Sequence, residues 1–190
     1  MPTPTTIRAF ISLELPEAIK QAADRLQERL KTKDGDVSWV KSSGLHLTLK
    51  FLGQVPPEMI PEIIRAVEPV AAQAHPLRVS VSGVGAFPHL ENPKVVWLGL
   101  KGDEGLMQLQ RGVEEATNRL GFVPEPRPFR PHLTLGRVKS HRRREALIAA
   151  LEAEKGWTGG EFELSELCLM KSELQSGGAV HTPLWSKVLS

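Results

Sequence analysis

The tetrapeptide His-Leu-Thr-Leu occurs twice in the chain, in GLHLTLKFLG (Gly44 to Gly53) and in RPHLTLGRV (Arg130 to Val138). In an extended strand alternate side chains share a face. His46 and Thr48 therefore lie on one face and Leu47 and Leu49 on the other, and the same holds for His132 and Thr134 against Leu133 and Leu135. Each polar face carries an imidazole and a hydroxyl about 7 Å apart along the strand. The same alternation adds Lys50 to the first polar face and Arg130 to the second. Set across a groove, the two faces bring two imidazoles, two hydroxyls and one or two cations around one centre. Imidazole titrates near pH ~6.5, so one histidine can accept a proton while the other donates one. Hydroxyls and cations can hold the non-bridging oxygens of a phosphate. The set suits phosphodiester chemistry without a metal. A single histidine in a strand is more often a surface or core residue than a catalyst. Two of them, each with a same-face threonine and a nearby cation, favour catalysis.

These strands must be positioned by the rest of the chain. Ile7–Leu15 reads as a strand. From Pro16 the apolar residues Ile19, Ala22, Ala23, Leu26 and Leu30 recur at helical spacing, with Gly35 just past the end. VSWVK and LHLTLKFLG read as strands. Pro56 and Pro57 open a helical segment that runs to about Ala74, broken or kinked around Pro61 and Pro69. LRVSVSGVGAF and KVVWLGL are strand-like, separated by a loop with Pro88 and Pro93. Leu106, Leu109, Val113, Ala116 and Leu120 mark an amphipathic helix ending at Gly121. A proline-rich stretch leads into the second HLTL strand, RREALIAALEAEKG is helical, and EFELSELCLMKSEL and VHTPLWSKVL close the chain as strands. Each HLTL strand follows a helix and a short connection, so the halves read as diverged copies of one α+β unit. No linker interrupts the pattern, and 1–190 is expected to form one domain.

Composition sets limits. The 190 residues carry a net charge of +2, with 41% hydrophobic and 24% charged residues, as in a soluble globular protein. A balance so near neutral does not demand a nucleic-acid partner, though it permits a local basic patch. One cysteine, Cys168, excludes an internal disulfide and a multi-cysteine zinc site. The start MPTPTTIRAF shows no signal peptide, and no apolar run is long enough to span a bilayer. A cytoplasmic location is expected.

The paired H-x-T-x motifs resemble those of the 2H phosphoesterase superfamily, and the wider pattern resembles its RNA 2′,3′-cyclic phosphodiesterase branch, also named 2′-5′ RNA ligase. RAFISLELP, HLTLKFLGQV, GVGAFP, KVVWLGL, FRPHLTLGRV and LCLMKSEL resemble segments found there in the same order. The resemblance implies an α+β, bilobal, pseudo-twofold fold, with two antiparallel sheets and outer helices around a central cleft. It implies His46 as proton donor, His132 as proton acceptor, and Thr48 and Thr134 as phosphate ligands. The substrate would be an RNA 2′,3′-cyclic phosphate end or a nucleoside 2′,3′-cyclic phosphate, hydrolysed to a 2′-phosphomonoester by a monomer with no cofactor and no metal. It also points to Arg137 for substrate binding. Strand alternation turns Arg137 away from His132, a conflict that a bulge at Gly136 would remove, so Arg130, Arg137 and Lys50 are all candidate substrate ligands. The chain departs from the pattern near its end: many relatives carry Tyr before Thr-Pro-Leu, whereas here His181 stands there and the chain has no Tyr.

Other residues read more plainly. KSHRRRE (Lys139–Glu145) is a solvated loop first and an RNA-phosphate patch second. Trp39, Phe87 and Phe129 favour core packing over base stacking, and Phe51 falls on the leucine face as core. His75, His89 and His141 are expected in solvent. A metal-dependent hydrolase would need clustered carboxylates or three histidines. A histidine-triad hydrolase would need alternating histidines in one strand. The remaining alternatives are an RNA-end binding module without turnover, and a 2H enzyme acting on another nucleotide such as 2′-5′ oligoadenylate.

Overall fold

A computed structural model describes residues 6–31, 36–175 and 178–190. Gly35, the expected helix stop, lies outside the described residues. The order of elements is β1 (Ile7–Leu13), α1 (Glu17–Leu30), β2 (Val37–Trp39), β3 (Leu47–Val55), α2 (Ile60–Ala72), β4 (Leu77–Phe87), β5 (Val95–Gly102), α3 (Glu104–Asn118), β6 (His132–Val138), α4 (Arg144–Ala153), β7 (Thr158–Leu164), β8 (Glu166–Gln175) and β9 (Gly178–Val188). Short 3₁₀ turns at Ser42–Gly44 and Pro57–Met59 lead into β3 and α2.

The strands form two antiparallel sheets, one ordered β3-β1-β8-β9 and the other β2-β6-β5-β4-β7. Each sheet contains one HLTL strand beside the strand that precedes it across a helix: β1-α1-β3 in the first and β5-α3-β6 in the second. The two halves are thus related by pseudo-twofold symmetry, and the chain crosses repeatedly between them. One crossing escapes the sequence pattern. EFELSELCLMKSEL is not one strand but two, split at Ser165, with β7 in the second sheet and β8 in the first. The local mark is a slip of phase: Leu164 is followed by Leu167, with Ser165 and Glu166 between them, so the apolar face changes at the split.

Apolar periodicity explains the helices. Ile19, Ala22, Ala23, Leu26 and Leu30 of α1 are buried together, and so are Leu106, Leu109, Val113 and Ala116 of α3. Asp103 caps α3, its carboxylate accepting the Leu106 amide at 3.1 Å. The expected break in α2 does not occur. Pro61 sits in the first turn, where its missing amide costs nothing, and the helix continues through Pro69. α1 packs on α4 and β7, while α2 packs on α3 and β9. A single hydrophobic cluster joins residues from both sheets and all four of these α-helices. Each fully buried leucine in it contributes about 1.5–3 kcal/mol.

The local geometry of the HLTL strands decides which side chains leave that core. In β3, Thr48 pairs with Ser12 and Lys50 with Ile11, so Leu49 is a bulge. In β6, Thr134 pairs with Trp97 and Gly136 with Val96, so Leu135 is a bulge at the same place in the motif. An extra residue reverses the alternation beyond it. Lys50 and Gly136 therefore turn toward the core, and Phe51 and Arg137 turn to the face that carries His46 and His132. Buried Gln27 of α1 fixes the second bulge, donating to the Leu135 carbonyl at 3.0 Å and to the Val40 carbonyl at 2.8 Å. Glycine fits at 136 because side chains of the paired strand β2 fill the space: a Cβ would lie 2.8 Å from Val37 Cγ1 and 3.0 Å from the Trp39 ring.

Candidate active site

Both motif histidines are held in the same way. The His46 Nδ1 lies 2.8 Å from the Gly44 carbonyl oxygen, and the His132 Nδ1 lies 2.7 Å from the Arg130 carbonyl oxygen. A carbonyl only accepts, so each Nδ1 carries a proton and donates it two residues back. Each Nε2 is thereby left as the basic or acidic atom. β3 and β6 approach each other. Thr48 and Thr134 follow on the same faces, half-buried, and neither hydroxyl is engaged by another described residue.

Each histidine also rests on a phenylalanine. The His46 ring centroid is 4.5 Å from that of Phe10, and the His132 centroid is 5.0 Å from that of Phe87, which in turn packs 5.5 Å from Trp97. Phe10 belongs to the face of β1 opposite the main core, where it clusters with Cys168 and Met170. That face also holds Arg8 and Ser12.

Burial is the larger cause that lowers the His46 pKa from 6.5 to about 4; the nearby His181 adds to it, and the hydrogen bond to Gly44 opposes both. The folded pKa lies below that of the free imidazole, so the unfolded chain binds the proton more readily. The stabilisation is complete above pH 6.5, is lost as pH falls toward 4, and amounts to at most about 3 kcal/mol. Urea unfolding at pH 7.5, 5.5 and 4 should show a larger loss for the natural protein than for His46→Gln. Equal losses would contradict the buried, neutral imidazole.

The structure revises two of the expected assignments and shows on which face Arg137 lies. Lys50 is not on the polar face. It is 5% exposed, and its Nζ reaches Glu114 Oε2 of α3 and the Val123 carbonyl, each at 2.7 Å. The Leu49 bulge is the reason. Phe51 is not core: the same bulge turns it out, 64% exposed and 6.0 Å from Phe10. Arg137, which strict alternation turned away, pairs with Val95 and Ser38 on the face of Thr134, because the strand bulges one residue before Gly136. It is exposed. Arg130 is exposed in the loop before β6, and its backbone carbonyl holds His132. Trp39 and Phe129 pack against the core as expected, whereas Phe87 supports His132.

Two residues beside His46, Phe10 and His181, and Arg8, which bears on His181, carry no motif. Alternation in IRAFISL separates Arg8, Phe10 and Ser12 from Ile7, Ala9, Ile11 and Leu13. An apolar residue on both faces hides that signal.

Two antiparallel sheets, each with an H-x-T-x strand paired with the strand that precedes it across a helix, define the 2H phosphoesterase class. Residues 15–175 match the family model of the 2′-5′ RNA ligase superfamily. A protein of Methanothermobacter thermautotrophicus named RNA 2′,3′-cyclic phosphodiesterase is 35% identical over 94% of this chain and 96% of its own length. One of the same name from Aquifex aeolicus is 29% identical over 93% and 94%. Among solved structures, one from Thermus thermophilus superposes with a TM-score of 0.83 at 28% identity, covering 96% of this chain and 98% of that one. Escherichia coli LigT complexed with 3′-AMP gives 0.72 at 26% identity, covering 98% and 99%. The chain belongs to the 2′-5′ RNA ligase superfamily of 2H phosphoesterases.

Proposed function

We propose that this chain, as one bilobal domain and a monomer, hydrolyses RNA 2′,3′-cyclic phosphate ends to 2′-phosphomonoesters by metal-independent acid/base catalysis. The observation that carries the reading is the twin arrangement of His46 and His132, each with Nδ1 tied to a backbone carbonyl, Nε2 released and a threonine on the same face. The relatives named RNA 2′,3′-cyclic phosphodiesterase supply the substrate class. The LigT complexes with 3′-AMP and with phosphate are consistent with a nucleotide phosphate in the cleft.

In this mechanism the His132 Nε2 takes a proton from water. The water oxygen attacks phosphorus, the bond to O3′ breaks, and the His46 Nε2 protonates the departing O3′. Thr48 and Thr134 hold the non-bridging oxygens, with Arg137 beside Thr134. The donor must be protonated, yet burial favours the neutral form of His46. The substrate anion reverses this: a negative charge beside the ring favours imidazolium. Proton donor and substrate are therefore assembled in one step. With a 5′-hydroxyl in place of water the same forward step joins RNA through a 2′-5′ linkage: its oxygen bonds to phosphorus, the bond to O3′ breaks, and the reverse step cleaves that linkage.

The test is product analysis in excess chelator, with a short RNA ending in 2′,3′-cyclic phosphate. A 2′-phosphate end is expected. A 3′-phosphate end, or activity abolished by the chelator, would overturn the reading, and tight binding without turnover would favour an RNA-end binding module.

A further inference from the structure

Beside His46 stands a histidine that no motif predicts. His181 comes from β9, paired with Ser172 of β8. Its ring centroid lies 4.8 Å from His46 and 5.0 Å from Phe10, near-perpendicular to both at 84°. With His46 and Phe10 tilted by only 30° at 4.5 Å, the three rings close a triangle. His181 is poorly placed to be a packing residue. Its Nδ1 is enclosed with no hydrogen-bond partner, a condition that costs free energy and that an apolar ring of the same shape would avoid.

The charges around it point one way. Arg8 of β1 bears on His181 electrostatically, and His46 is the other cationisable neighbour. Cys168, also on this face, is held as a neutral thiol by burial first and then by the Glu166 and Glu14 carboxylates, its pKa pushed up to about 12. Those two carboxylates bear on Cys168, and neither bears on His46 or His181. Burial, then Arg8, lowers the His181 pKa, as burial and His181 lower that of His46. Two imidazoles this close, with Arg8 bearing on one of them, hold at most one proton between them.

We propose that His181 is a positioning residue for His46, closing the ring triangle that fixes the imidazole and competing with it for one proton. The consequence for catalysis rests on the two-histidine reading above: His46 acts as donor only while His181 is neutral. His181 thus sets how strongly the substrate phosphate must act to protonate the donor.

The decisive measurement is the NMR titration of the His46 Cε1–H resonance, assigned by its loss in His46→Gln. It is compared between the natural protein, His181→Gln and His181→Tyr. Gln removes the charge and the ring; Tyr removes the charge and keeps a ring. The His46 midpoint is expected to rise in both variants by about half a pH unit or more, the effect of removing a unit charge some 5 Å away even under strong screening. His181→Tyr is expected to keep the melting temperature closer to that of the natural protein than His181→Gln. An unchanged His46 midpoint in a folded His181→Tyr protein would overturn the proposal and leave His181 a packing residue. The titration needs no turnover. If the midpoint moves but no cyclic phosphate is hydrolysed, the functional reading fails and the proton coupling stands.

Discussion

Alanine at His132 is expected to lower kcat on an RNA 2′,3′-cyclic phosphate by about 10²–10⁴-fold, and alanine at His46 by a similar factor. The two losses should not multiply. Both groups act in one transition state, so the double variant should fall little below the worse single one. What the losses alone cannot do is assign roles, because the two sites are near copies: the same Nδ1–carbonyl bond, the same threonine, the same bulge. The leaving group separates them. In a 3′-S-phosphorothiolate analogue the departing thiolate needs no proton. His46→Ala should then lose only about 10-fold, while His132→Ala keeps its full deficit, since the attacking water still needs a base. Rescue of His132→Ala instead would exchange the two roles, and rescue of neither would refute proton donation to O3′. The cost of truncation is also visible in the fold. Phe10 and Phe87 lose a packed ring in these variants, so His→Gln controls with unchanged melting temperature are needed to separate chemistry from support.

The reasons some of this was legible in the sequence, and some was not, are local and physical. Helical spacing located α1 and α3 because each buries one stripe of side chains. Alternation placed His46 with Thr48 and His132 with Thr134, because the rule holds up to the bulge. It failed at the next residues, Lys50, Phe51 and Arg137, because a bulge is set by the partner strand. The pairing of β3 with β1 and of β6 with β5 is a long-range fact that LTLKF and LTLGR do not encode locally. Gly136 hinted at irregularity in β6, whereas LKF in β3 carries no such mark. Pro69 predicted a break that α2 does not make, since burial of Ile63, Val67 and Ala71 holds the helix through it. In the sequence His181 stands out only as a departure from the family pattern. Its place beside His46 follows only from the strand order β3-β1-β8-β9 and the contact of β9 with the Ser42–Gly44 turn that precedes His46.

The contrast between Lys50 and Arg137 puts that account to a test with large and opposite effects. Lys50→Met should destabilise the protein by roughly 3 kcal/mol, toward the low end for a broken buried pair, because Glu114 keeps 17% of its surface in water. The loss arises mainly from the carboxylate and the Val123 carbonyl left without their donor. Glu114→Gln should therefore recover part of it in the double variant, a coupling that a simple packing defect would not show. The folded Lys50→Met enzyme should keep its KM for the cyclic phosphate, since the ammonium lies on the far side of β3 from the histidines. Arg137→Ala should behave in the opposite way. The side chain is exposed and unpaired among the described residues, so stability should change by no more than about 0.5 kcal/mol. Its guanidinium shares the face of Thr134, so kcat/KM should fall by roughly 10²-fold, as when one preorganised phosphate donor is removed. Denaturant unfolding and steady-state kinetics on the same preparations measure both quantities. If Lys50→Met were fully stable and lost substrate affinity, unbroken alternation would be right and the bulge at Leu49 wrong. If Arg137→Ala kept full activity, the matching bulge at Leu135 would have no catalytic purpose.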